Sequence, residues 1–489
     1  MSTQIKIIVF LFSLFFTNTI FAQETLGFNF GGEKNDAGFD IIQSTDNGYL
    51  ICGSTRSFGE GSSDIISIKL DKTGNIEWMK TYGWPHYDDM KGIIEVDDGY
   101  LLIGDAWDYG LSRLDMYLIK IDFEGDIVWD KMYGTVSKDI GFKLLELPQN
   151  DLILLGYSRG EDFAGDIFIV RTDPEGNEIW RNNYGTNYDD YGLDIVLNGD
   201  DNFLVIGTES GFYNDVYATY FRNHDADEML LCIDFDGNEV WRKTYGGDGH
   251  DFGGSILKID DDVFICGSTQ SYGNGSFDMF LQKTDLEGNE EWFETFGGTD
   301  YEYGNSIAQS ADEGIYIFGT TKSFGQNGSA DFYLIKSDYW GNELWNLTIG
   351  GDLIEQGYSV VATADSGVAV IGKSNSFGNG EFDILFVKVD KNGIIEDFVN
   401  GIDSIYKGDF LVYPNPVGKF GHIKTLQTVP RKELFMELIS ISGQNANSFI
   451  ISLPDYRFST ESLSSGTYIY HIRQKQGSDI IYSGKLIVR

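Results

Sequence analysis

The sequence predicts an all-β chain: a seven-bladed β-propeller with four strands per blade, followed by a small C-terminal β-sandwich. Three observations carry this. The motif D-K-T-G-N-I-E-W-M-K-T-Y-G, at Asp71 to Gly83, recurs almost to the C-terminus. Its tryptophans, Trp78, Trp129, Trp180, Trp241, Trp292 and Trp345, lie 51, 51, 61, 51 and 53 residues apart, and its opening aspartate appears seven times, at Asp71, Asp122, Asp173, Asp234, Asp285, Asp338 and Asp390. Each copy also divides into four short apolar or alternating runs separated by turn residues, the signature of antiparallel strands. A period of about 50 residues with four strands per unit is a propeller blade, and closing seven of them into a ring removes exposed sheet edges.

Taken in order, residues 1–22 form an export signal: Lys6, an apolar run from Ile7 to Phe16, then Ala22 before Gln23 and Glu24. Cleavage after Ala22 is expected. The run is too short to span a bilayer and no later stretch reaches about 18 apolar residues, so no membrane span is expected in the mature chain. No cysteine follows the run, which argues against a lipid-anchored N-terminus.

Residues 23–400 are the propeller, with blades at about 31–82, 83–133, 134–184, 185–245, 246–296, 297–349 and 350–400. In the first copy the strands fall near Phe39–Ser44, Tyr49–Thr55, Asp64–Leu70 and Ile76–Tyr82. The first turn, T-D-N-G, and the third, D-K-T-G-N, each place a glycine where a positive φ is expected. Copy seven lacks the tryptophan, with Asp397 or Phe398 in its place, whereas T-L-G-F-N-F near the mature N-terminus aligns with the outer-strand motif. Residues 25–30 are therefore expected to supply the outer strand of the last blade and latch the ring, residues 394–399 being the alternative.

A row of tryptophans could stack on sugars, but one per blade at a fixed register on the outermost strand is read as packing between sheets. The aspartate of D-x-x-G-N is read as turn chemistry, its side chain bonding nearby amides, rather than as a metal ligand. Antiparallel strands put the first and third turns on one face of the ring, and the second turns and the blade-to-blade crossings on the other.

On that second face a carboxylate follows the first glycine of every Y-G or G-G pair by five residues: Asp36, Asp88, Asp139, Asp190, Asp251, Glu302 and Glu355. A glycine stands two residues further on in every copy but the second, which has Met90. Displayed around the mouth of a central channel, such a ring would trap a cation, calcium being possible, or a cationic ligand. The competing reading is that each carboxylate caps a local turn. The Gly-rich second turns end in Asp64, Asp115, Asp166, Asp278, Asp331 and Asp383, and with acidic surroundings and no following helix they are not phosphate cradles. Copy four has a second turn about ten residues longer, Gly211 to Glu228. Its Phe212, Tyr213, Tyr217, Tyr220, Arg222 and His224 are the candidate contacts for a ligand or partner, against the reading of a tolerated surface insertion.

Composition narrows the function. With 35 Lys and Arg against 76 Asp and Glu, the net charge is −41, which excludes binding to nucleic acid or to an anionic membrane surface. Of three cysteines, Cys52 and Cys266 share one slot in copies one and five and read as small buried hydrophobes; Cys232 stands where other copies have Lys or Arg and reads as a free thiol. Five histidines without a Ser or Cys motif give catalysis little support, no metal site is assigned, and no cofactor is expected.

After Asn400 the period stops; residues 401–411 form a linker and 412–489 a β-sandwich. The tail resembles the type A C-terminal sorting domain of the type IX secretion system. The resemblance rests on Pro414-Asn415-Pro416, Ile441-Ser442-Gly443, Leu463 with Gly466 and Tyr468, and Lys485 near the end. It implies a Gram-negative cell, export to the periplasm, passage across the outer membrane by the type IX machinery, and attachment at or release from the surface. The cargo resembles bacterial seven-bladed β-propeller repeat proteins, whose ligands are diverse. The expected function is a secreted or cell-surface binding or adhesion module for a glycan, peptide or protein, not an enzyme; a secreted hydrolase on a propeller scaffold is the alternative.

Overall fold

The computed structural model describes residues 28–395 apart from 60, 109–112, 160–164, 210–225 and 379, and the stretch 410–488 outside 414–418, 426–432, 441–444, 453–454 and 474–479. The propeller residues form seven four-stranded antiparallel sheets, one per blade. The innermost strands, Asp36–Gln43, Asp88–Val96, Asp139–Glu146, Tyr191–Asn198, Asp251–Ile259, Glu302–Gln309 and Glu355–Ala362, each touch the innermost strand on either side, the seventh touching the first. The ring is closed.

The middle strands explain the apolar runs. Tyr49–Thr55 and Asp64–Leu70 are almost wholly buried because neighbouring blades cover both faces of the sheet, whereas in Ile76–Tyr82, at the rim, only Tyr82 is fully buried. The core is a set of inter-blade layers, such as Leu50, Cys52 and Ile65 of blade 1 against Met90, Tyr100 and Leu102 of blade 2.

One glycine per blade is dictated by this geometry. Every innermost strand carries a bulge two to four residues after its carboxylate slot, as between Gly38 and Asp40. The bulge drives a carbonyl against the second strand at Gly53, where a Cβ would lie 1.9 Å from the Ala37 oxygen; the same clash would occur at Gly104, Gly156, Gly207, Gly267, Gly319 and Gly372. In the first turn the expectation needs correction: the left-handed residue is Asn47 (φ 65°), not Gly48. Gly48 is needed for space, since a Cβ there would stand 2.3 Å from the Leu70 carbonyl oxygen. The third turn is as expected, with Gly74 at φ 80°.

The tryptophans pack between blades. Trp78 lies against Gly125 in the third turn of blade 2 and donates its indole N–H to the Phe123 carbonyl at 2.9 Å. Four residues on, Tyr82 donates its hydroxyl to the Gly125 carbonyl at 2.8 Å. Trp180 and Tyr184 repeat the arrangement on Phe235 and Gly237, and Trp345 reaches the Lys391 carbonyl at 3.3 Å. The tryptophan thus meets the D-x-x-G turn at six of the seven joints, and the tyrosine joins it at four, which ties the period to the packing. The turn aspartate organises its own loop: Asp71 accepts N–H groups from Thr73 and Asn75 at 2.8 and 2.9 Å.

The last blade has the strand order expected of a latch. Phe28–Phe30 pairs antiparallel with Asp383–Val389, Phe28 opposite Phe386 and Phe30 opposite Ile384. Phe30 is buried with Ile41, Ile51, Ile371 and Phe386, residues of the first and last blades. Ile395 adds a single bridge to Val389. The third turn of blade 7, Asp390 to Ile394, lies on the face of the first and third turns.

The tail holds a three-stranded sheet (Phe410–Tyr413, Phe420–Thr425, Asp455–Ser459) and a four-stranded one (Glu433–Ser440, Asn445–Ser452, Gly466–Arg473, Ile480–Val488). Ile423 and Phe458 of the first share one core with Leu438, Ile472 and Leu486 of the second. Tyr468 is buried there and donates its hydroxyl to the Ser464 carbonyl at 2.8 Å. Gly466 opens its strand, and Lys485 pairs in register with Ile469; Pro414, Asn415, Pro416 and the Ile441 to Gly443 turn lie outside the described residues.

The latch gives a direct expectation. Phe30→Ala removes a buried ring from the closure layer and is expected to cost about 3–5 kcal/mol in urea denaturation, against under about 1 kcal/mol for Phe123→Ala at a 44% exposed position. Equal midpoints for the two variants would contradict closure through this strand.

Candidate functional site

The seven crossing carboxylates are not displayed around the channel mouth: none is more than 3% exposed. Each turns inward and caps its own crossing. Asp36, Asp88, Asp139, Asp190, Asp251, Glu302 and Glu355 all accept the backbone N–H four residues earlier, from Gly32, Trp84, Thr135, Thr186, Gly247, Gly298 and Gly351 respectively. A hydroxyl at the end of the second strand supplies another donor: Thr55 to Asp36, Thr269 to Asp251, Thr321 to Glu302 at 2.8 Å and Ser374 to Glu355 at 2.7 Å. Second-turn amides complete the set, as from Ser323 to Glu302 at 3.0 Å. The carboxylates are structural caps joining crossing, second strand and second turn, and no cluster of three or more metal-binding side chains occurs among the described residues.

The aspartate heading the third strand caps the second turn; Asp278, for example, accepts from Asn274 and Gly275, both at 2.9 Å. Crossing glycines bring these two kinds of carboxylate together. A Cβ on Gly350 would meet Asp331 of blade 6 and Glu355 of blade 7, and Gly31, Gly185, Gly246 and Gly297 stand between equivalent pairs. Burial, with Glu355 adjoining, pushes Asp331 up to about 7, and burial, with Asp64 nearby, pushes Asp88 up to about 6.

A second polar element, invisible in the repeat, circles the ring just after the bulge. The equivalent positions are Asp40, Gly92, Lys143, Asp194, Ser255, Ser306 and Ser359. Lys143 of blade 3 passes over Gly92 of blade 2, which has no side chain, to reach Asp40 of blade 1 at 2.7 Å. Asp40 also accepts from Ser359 of blade 7 at 2.7 Å and from the Ile93 N–H at 3.1 Å. Asp194 accepts from Ser255 at 2.6 Å and the Ile256 N–H at 3.1 Å. Burial raises the Asp194 carboxyl, the charge of Lys143 opposing it. The belt stitches inner strands that share no ladder.

Aromatic side chains occupy the face of the second turns and crossings. Tyr157 and Tyr191 stack at 4.7 Å with planes 7° apart. His250, Phe252, Phe277, Tyr303 and Tyr301 follow in unbroken ring contact at 5.2 to 6.1 Å, each half-buried. Lys322 Nζ lies 5.0 Å above Tyr301 and is paired with Asp300 at 3.3 Å. The backbone re-enters from the long second turn of copy four at Ala226, whose N–H donates to His250 Nδ1 at 3.1 Å. Phe212, Tyr213, Tyr217, Tyr220, Arg222 and His224 lie outside the described residues. A shallow cavity of about 390 Å³ on the same face is lined by Asn35, Leu353, Asn375, Glu381 and Phe382.

The opposite face carries the paired charges. The lysine near the end of the third strand meets a first-turn acid in blade after blade: Lys69 with Asp46 at 2.7 Å, Lys283 with Asp262 at 2.9 Å, Lys336 with Asp312 at 2.6 Å. Cys232 fills this slot in copy four; it and the other two cysteines are free and buried.

No family model and no curated sequence matches the chain. Among solved structures it is similar to the Neurospora crassa Pan2 WD40 domain (8% identity, TM-score 0.46, covering 75% of this chain and 96% of that one). It is also similar to puromycin hydrolase in its S511A form (10%, 0.47, 80% and 58%) and to the extracellular domain of a putative one-component system from B. thetaiotaomicron (11%, 0.41, 96% and 58%). The chain is a propeller. It spans less than two thirds of the length of the latter two proteins.

Two measurements probe this chemistry. Lys143→Met leaves Asp40 and Asp194 without their cation and is expected to cost about 3–5 kcal/mol, much of it restored by adding Asp40→Asn; an unchanged denaturation midpoint would remove the belt's role. The raised carboxyls set a pH dependence. Asp331 is protonated in the fold well above its unfolded pKa of about 3.9, so its contribution to stability is full below about pH 4 and is lost as pH rises through about 7. The urea midpoint is therefore expected to fall between pH 5.5 and pH 8, and Asp331→Asn, with no proton to lose, is expected to flatten that fall.

Proposed function

We propose that this protein is a secreted or surface-displayed binding module that engages its ligand through the face of the second turns and crossings, and that the tail delivers it through the type IX secretion system. The observation that carries the reading is the placement of side chains: half-buried aromatics and the root of the long copy-four loop share one face. A hydrolase is favoured less, because a general acid and base must reach substrate, and the paired carboxylates at the blade joints are buried and committed to internal donors.

The test uses the full-length protein. On a glycan array and in calcium titration, wild type is expected to bind glycan, and deletion of residues 211–225 to weaken binding to intact cells at least fivefold. Loss of ligand and metal response alike, with adhesion unaffected by the deletion, would refute the binding reading. For export, removing residues 412–489 is expected to hold the protein in the periplasm of a type IX-competent host, read by cell fractionation.

A further inference from the structure

We propose that the aromatic row His250, Phe252, Phe277, Tyr303 and Tyr301 is a platform for a neutral polysaccharide chain. The inference rests on the binding reading above and names its ligand class. Aromatic rings in a contiguous row, successive planes 10° to 38° apart and each ring half-buried, leave part of an apolar ring surface in solvent, the kind of surface that the C–H faces of sugar rings cover well.

The surroundings select among partners. Exposed polar side chains stand beside ring residues at Gln270, whose Oε1 accepts the His250 N–H at 3.4 Å, and at Ser276, next to Phe277 in the chain; they are groups suited to sugar hydroxyls. The Lys322 ammonium over Tyr301 is already paired with Asp300 at 3.3 Å. The protein as a whole carries −41, which disfavours a polyanionic chain. The row is also held rigidly, as a ligand platform must be. Phe277 forms a parallel bridge with Tyr301, the Glu302 N–H donates to the Phe277 carbonyl at 2.8 Å, and His250 accepts from Ala226. The repeat tryptophans offer no such surface, being used against the next blade.

The experiment is affinity electrophoresis of the full-length protein through gels containing hydroxyethylcellulose, galactomannan or a soluble β-1,3-glucan, with alginate as polyanion and polylysine as polycation. Retardation by at least one neutral polymer is expected, weakened about tenfold by each of Tyr301→Ala and Tyr303→Ala. Trp340→Ala, a 70% exposed ring on the opposite face, is expected to leave it unchanged, and circular dichroism melts establish that the variants fold. The proposal is overturned if no neutral polymer retards the protein, if Tyr301→Ala and Tyr303→Ala variants that fold are retarded as wild type, or if Trp340→Ala abolishes the effect. Binding to alginate or polylysine alone would also overturn it, while leaving the binding-module reading standing; failure of that wider reading is the separate result in which the array and cell binding are blank as well.

Discussion

Everything on the ring's aromatic face hangs from one hydrogen-bonded group, the carboxylate that starts each innermost strand. It accepts from the crossing that delivers the chain to the blade and, in several blades, from the hydroxyl that ends the second strand and the amide that opens the second turn. A neutral side chain there would leave buried N–H and O–H groups without acceptors. Seven such caps hold the crossings at one height around the ring, and side chains on the crossings then stand where aromatic rings can meet across a blade boundary. The aromatic row is a consequence of this capping: Tyr301 directly precedes Glu302 and Tyr303 directly follows it, while Asp251 stands between His250 and Phe252.

The two faces divide the labour. On the first- and third-turn side, lysine pairs with acid inside its own blade, and tryptophan rests on the glycine turn of the next blade and makes the joint. On the other side the joint is made by buried carboxylates, which frees the outer surface for rings. Between them, the Asp40, Lys143 and Asp194 belt crosses the inner wall where no ladder exists.

The blade count, the strand order and the packing role of the tryptophans were legible in the sequence because each repeats, and repetition exposes a shared physical demand. The N-terminal latch was legible for the same reason, Phe28 to Phe30 echoing an outer strand. The carboxylates were visible as a spacing, yet spacing gives backbone position and not the direction of a side chain. That they point inward follows from partners 19 residues on, such as Thr321 for Glu302, a pairing apparent only once the second strand is set beside the first. The Lys143 and Asp40 pair was hidden because it is 103 residues apart and uses positions where other blades have Ser or Gly. The aromatic row was hidden because its members come from crossings, the starts of inner strands and a second turn, and only copies five and six place rings on both sides of the carboxylate, His250 with Phe252 and Tyr301 with Tyr303.

The closing strand has a consequence in time. Phe28 to Phe30 are the first propeller strand to emerge from any channel that passes the chain N-terminus first, yet their partners, Ile384 to Phe386, belong to the last. Joining the two ends closes a loop of about 350 residues, an entropic cost of roughly 5 kcal/mol that grows little with each added blade. Before that pairing the folded blades would form an open arc with an apolar seam at each end, Phe30 and Ile41 at one and Ile371 and Phe386 at the other. The propeller becomes a ring, and stops being a sticky intermediate, in a single last step.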